Sequence, residues 1–195
     1  NMCISYPFEV CGRIFTNSEA LYICGLFSND TAKHREIQEK LIAAKSGYDA
    51  KKVVRQKYED SFGRDDWQSF NVEYMKWCVW QKIKGNDDFR KLLMSIPRNA
   101  YIIENSTQQK GTTALFWGMA NKDLEDKRSI IEECAAYKSP TLSKKELNRV
   151  QMEERNKINH IGVWKGVDCM GKILKYLQLC LLDDVEPNIN YDLLR

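Results

Sequence analysis

The chain has 195 residues, enough for one sizeable hydrophobic core, and its apolar and charged contents are those of an ordinary globular protein. A net charge of +3 does not call for a nucleic-acid partner but permits an anionic ligand. Seven scattered cysteines, never in a C-x-x-C pair, and only two histidines argue against a metal cluster and for reduced thiols.

Near the N-terminus, Phe8, Val10 and Ile14 suggest two short strands turning at Gly12. The first helix is expected over residues 16–28. Thr16 and Glu19 have the S/T-x-x-E spacing of a capping box, and Ala20–Phe27 is apolar on nearly every face, which makes this helix central. Residues 31–46 read as a surface helix stopped by Gly47, and 49–59 as a second helix rich in lysine and arginine. A longer helix, about 67–84, carries Trp67, Phe70, Tyr74 and Cys78 at spacings of three and four. Gly85-Asn86 ends it, Asp87 opens the next, and Pro97 stops that one.

Tyr101-Ile102-Ile103 reads as a short apolar strand leading to Glu104 and a polar loop. Residues 121–159 are crowded with mixed charges. They read as a surface insertion of two helical pieces split at Ser139-Pro140, the second opened by a capping box of Ser143 with Glu146. Core character returns over 160–182, where Asp168 is placed to cap a last helix, and 183–195 reads as a tail. The expected fold is α+β, a mainly α-helical single domain with a few short strands, spanning residues 1–182. No apolar run approaches the ~20 residues needed to span a bilayer, and the first residues lack the pattern of a signal peptide. A soluble, cytoplasmic protein is expected.

No P-loop, dinucleotide fingerprint, nucleophile elbow or zinc signature occurs. What remains is a set of polar residues at the edges of apolar elements: Glu19, Glu104, Asp168, Lys51 and Lys82, with Trp67 and Trp117 nearby in sequence. For Glu19 the local reading is a carboxylate that either closes a capping box or faces a pocket and does chemistry. For Asp168 it is a helix cap. The lysines read as surface or snorkelling charges, and the tryptophans as core.

The order of these segments resembles the NADAR superfamily, which comprises YbiA-like N-glycosidases acting on riboflavin-pathway intermediates and relatives that remove ADP-ribose from guanine. The resemblance is carried by Asn1-Met2 with Pro7-Phe8 and Gly12, by Phe15–Tyr22 around Glu19, and by Ala50-Lys51 with Arg55. It continues through Asp66-Trp67, Met75, Lys82 and Asn86, then Ile103-Glu104 and Trp117-Gly118, and closes at Gly166, Cys169-Met170-Gly171 and Leu174. Segment 121–159 and the tail lie outside it.

The resemblance implies an N-glycosyl hydrolase that needs no cofactor or metal. Its substrate would be a phosphoribosyl or ADP-ribosyl compound, free or on an ADP-ribosylated nucleic acid. Glu19 would be the catalytic carboxylate, with Glu104 or Asp168 as a second acid. Lys51 or Lys82 would bind phosphate, Trp117 would stack on the base, and Asn1, Gly12, Trp67 and Gly118 would complete the substrate site. Three positions depart from the family pattern: Ala114 stands where an aspartate is usual, Asp168 where an asparagine is usual, and Leu26 where a lysine is usual. The first departure keeps a second reading open, a catalytically weak module that binds a nucleotide or ADP-ribose. A third reading is a helical interaction protein using 121–159.

Overall fold

A computed structural model describes residues 6–138, 141–158 and 162–194, so Asn1 and the Ser139-Pro140 break lie outside the described residues. The described residues are mostly helical with one two-stranded antiparallel sheet, in line with a mainly helical α+β fold. They divide into two compact units, the first made of described residues up to 101 and from 173 on, the second of those between 102 and 172. Among the described residues, no helix is long and apolar enough to cross a membrane.

In the first unit, strands β1 (Phe8–Val10) and β2 (Arg13–Phe15) pair with Phe8 opposite Phe15 and Val10 opposite Arg13. The connecting residues Cys11 and Gly12 both have positive φ, 51° and 72°. That is the backbone of a two-residue primed turn, whose twist matches the strands. Helix α1 (Ser18–Leu26) follows and is buried at every residue, as its lack of a polar face predicts. It packs on α2 (Ala32–Ile42).

The expected single helix over 49–59 is instead three pieces. A one-turn α3 (Gly47–Asp49) is opened by the Ser46 hydroxyl, which accepts from the Asp49 N–H at 3.1 Å. A π-helix over Ala50–Arg55 comes next, then α4 (Gln56–Phe62). Helix α5 (Trp67–Gly85) packs on α1 and on β1, and α6 (Asp87–Ser95) starts at Asn86, whose side-chain oxygen accepts from the Phe89 N–H at 2.9 Å.

The last residues are not a free tail. Ile189 is buried, the Lys76 ammonium donates to the Asn188 carbonyl at 2.7 Å, and the Tyr176 hydroxyl accepts from the Asn188 N–H at 2.7 Å. A 3-10 turn, Tyr191–Leu194, lies on α5.

The second unit holds α7 (Thr112–Trp117), α8 (Lys122–Lys138), α9 (Lys144–Lys157) and the start of α10 (Cys169–Leu182). Helices α8 and α9 pack on each other. The predicted box at α9 is present: Glu146 accepts from the Ser143 N–H at 3.0 Å, and the Ser143 hydroxyl accepts from the Glu146 N–H at 3.4 Å. The strand expected at Tyr101–Ile103 does not form; single bridges join Asn105 to Met119 and Ala120 to Lys165 instead. Among the described residues, this apolar triplet finds no partner strand to make a ladder.

Candidate functional site

Helix α1 begins one residue later than a Thr16–Glu19 box requires. Asn17 is the N-cap: its Oδ1 accepts from the Ala20 N–H at 3.0 Å, and its Nδ2 donates to Thr16 Oγ1 at 3.0 Å. The Thr16 hydroxyl in turn donates to the Ala44 carbonyl at 3.3 Å. The capping role expected for Thr16 therefore belongs to its neighbour, and Glu19 stands in the first turn of the helix. Asn outranks Thr as a cap, and its amide can also hold Thr16 in place.

Glu19 is only 4% exposed, yet its Oε1 lies 3.2 Å from the ammonium of Lys51 on the π-helix, and Lys51 is half exposed. The pair joins a buried anion to a cation that still faces solvent. The helix N-terminus adds a favourable dipole for negative charge at this point. π-turns are uncommon and concentrate at functional sites. Here the wide turn, closed by the Gln56 N–H on the Lys51 carbonyl, holds Lys51 and Arg55 on one segment.

Arg55 pairs with Glu59 through two 2.8 Å hydrogen bonds. Burial works against its charge, but the Glu59 hydrogen bond and the charges of Glu59 and Glu19 hold its guanidinium above the usual value. Tyr22 lies one turn beyond Glu19, and its ring centroid is 4.9 Å from that of Trp67. Glu19, Tyr22, Lys51, Arg55 and Trp67 thus form one neighbourhood in the first unit. Tyr22 and Arg55 are not among the expected site residues. Their signal was spacing: Tyr22 is three residues after Glu19, and Arg55 four after Lys51.

The remaining expected residues of this unit sit as follows. Lys82 does not snorkel; it is buried, with its ammonium 4.4 Å from the Phe89 ring centroid and 5.1 Å from that of Tyr6. Gly12 is the hairpin tip, with nothing within 4 Å of where a side chain would start. At Cys24, burial first, then the Glu39 charge, pushes the thiol up to about 12, away from the thiolate form.

In the second unit, Asp168 has a positive φ of 56° and its Oδ1 accepts from the Gly171 N–H at 3.3 Å and the Glu104 N–H at 3.1 Å. It is buried, caps the start of α10 as the local reading expects, and clamps the segment that carries Glu104. Burial raises its carboxyl above the usual range, against the opposing pull of the two N–H donors and of Lys172. Gly118 is also a packing residue. Its backbone passes so close to Ser106 Oγ and the Glu104 carbonyl that a side chain would overlap them. Trp117 ends α7, half buried, edge-on to Phe116 with centroids 5.2 Å apart.

No protein-family model matches the chain, and no curated protein is significantly similar to it.

Proposed function

We propose that the chain is an N-glycosyl hydrolase acting on a phosphoribosyl or ADP-ribosyl substrate, either a riboflavin-pathway intermediate or ADP-ribosylated guanine. One observation carries this reading: Glu19, a buried carboxylate at the first turn of a central helix, is paired at 3.2 Å with a half-exposed lysine. The order of motifs shared with the NADAR superfamily supports it.

Breaking the C1–N bond sends its electron pair to the leaving base and spreads positive charge over C1 and the ring oxygen. A fixed anion in a dehydrated site stabilises that charge more than water does, because it needs no reorganisation as the charge develops. Glu19 is that anion. Lys51, still open to solvent, meets the phosphate or diphosphate of the substrate. Trp67 backs Tyr22 and makes the wall beside Glu19 rigid. Water then adds to C1 and the base leaves with a proton.

The test is Glu19→Gln, which keeps size and removes charge. Release of free base from either substrate is expected to fall by about 10²–10³-fold, with substrate affinity largely kept. Unchanged turnover overturns the assignment.

A second reading has its own observation. The Asp168 carboxylate is occupied by two backbone N–H groups, and Ala114 stands where the family usually has an acid. A module that binds ADP-ribose without cleaving its substrate fits those facts. Saturable binding with no product over time would favour it.

A further inference from the structure

We propose that a groove in the first unit, separate from the Glu19–Lys51 pair, binds a small nucleotide-sized phosphate ester. It is lined by the end of α2 and the residues after it (Lys40, Ala43, Ala44, Lys45), by Asp49, and by Val54, Lys57 and Tyr58, and its volume is about 530 Å³. Small-molecule sites of this kind run from roughly 300 to 1,000 Å³. Neither Glu19 nor Lys51 lines it.

The charges favour a compact anion. Three lysines and one aspartate line the groove. Lys40 is engaged, donating to Glu36 and to the Tyr58 hydroxyl at 2.8 Å. Lys45 and Lys57 have no carboxylate partner among the described residues, and both are exposed. Asp49 is turned towards Ser46, whose hydroxyl donates to it at 2.9 Å. Asp49 keeps its negative charge there, and the C-terminal carbonyls of α2 oppose an anion with roughly half a charge more; the two lysines without a carboxylate partner outweigh both together.

The floor adds a preference for a flat or apolar partner. Val54 and Ala44 are buried, and Tyr58 presents a ring that already holds the ammonium groups of Lys40, Lys57 and Lys33 at 4.9, 5.4 and 5.2 Å from its centroid. The Lys40 hydrogen bond lowers the Tyr58 phenol below its usual value, a sign of how positive this corner is. Lysines act on phosphate as compact point charges, and a phosphate monoester carries close to two negative charges at neutral pH. A phosphate on Lys45 and Lys57, with a ring or ribose over Tyr58 and Val54, satisfies both the rim and the floor.

The experiment follows Tyr58 in the full chain by NMR of ring-labelled tyrosine, its signal identified with Tyr58→Phe. Adenosine monophosphate and pyrophosphate are titrated at low salt, with adenosine as the uncharged control. Saturable movement of the Tyr58 signal with both phosphates and not with adenosine is expected. In the Lys45→Ala/Lys57→Ala double variant, the affinity for adenosine monophosphate should fall at least ~10-fold. In Glu19→Gln it should hold, which keeps this groove distinct from the glycosidase reading. The proposal is overturned if Tyr58 does not respond at millimolar phosphate, or if adenosine moves it equally. It is also overturned if the double variant binds as tightly as the parent, or if Glu19→Gln abolishes the response.

Discussion

Asn17 and Thr16 compete for one role, and their contacts decide it. Asn17 is 1% exposed and satisfies the Ala20 N–H, whereas Thr16 braces Asn17 and Ala44. Asn17→Ala is expected to cost about 1–2 kcal/mol, the upper range for a lost cap, and Thr16→Ala clearly less. Chemical denaturation of the two variants measures this, and the reverse order would return the cap to Thr16. At Asp168 the charge is the issue. Because burial raises its carboxyl in the folded chain, the folded state holds that proton more tightly than the unfolded one. Its contribution to stability is therefore full below the ordinary carboxylate value and declines as pH rises through the folded one. Asp168→Asn keeps the Oδ1 acceptor for both N–H groups and drops the charge. It should be at least as stable as the parent at neutral pH, with the difference vanishing at about pH 3. Loss of stability in the asparagine variant at neutral pH would show that the charge itself is needed.

Helix α1 meets α5 so closely that one residue has no room for a side chain. A Cβ on Gly25 would lie 2.9 Å from Trp67 and nearer still to the Tyr74 ring. Both rings are held by other aromatics, Tyr74 against Trp77 at 5.3 Å and Trp67 against Phe70 at 5.2 Å, so neither can move aside freely. Alanine would gain about 0.5–1 kcal/mol in helix propensity over glycine, but overpacking costs about 1–3 kcal/mol. Gly25→Ala is expected to destabilise on balance, read as a lower denaturation midpoint. A more stable variant would mean that the α1–α5 contact is looser than described. The same contact positions Trp67 behind Tyr22, so the scaffold of the Glu19 neighbourhood depends on a glycine.

For the molecule as a whole, the closing residues belong to the packed structure of the first unit. Ile189 is buried, the Asn190 N–H donates to Glu73, and Lys76 and Tyr176 hold Asn188. Ile189→Ala is expected to lower stability by about 2–4 kcal/mol, the range for an emptied core site, seen as a drop of several degrees in Tm. A free tail would leave Tm unchanged. The fully buried Gln178 serves the same unit, donating to the carbonyls of Leu93 and Ile96 at 3.1 and 2.7 Å and so satisfying the end of α6.

Periodicity and punctuation were enough for the hairpin at Gly12, the buried α1, the long α5, the stop at Pro97 and the capping box at Ser143. Each of these depends on residues within a few positions of one another. The π-helix at Ala50–Arg55, the docking of Ile189 and the absence of a strand at Tyr101–Ile103 depend on what each segment meets across the fold, and no local pattern encodes that. The candidate site divides in the same way. Glu19 stood out as an acid at the mouth of an apolar run, and Asp168 as a cap, from local sequence. That Glu19 pairs with Lys51 rather than closing a box with Thr16, and that Tyr22, Arg55 and Trp67 gather beside it, follows from α1 packing against the π-helix and α5. A buried charge takes the partner that the fold brings within reach.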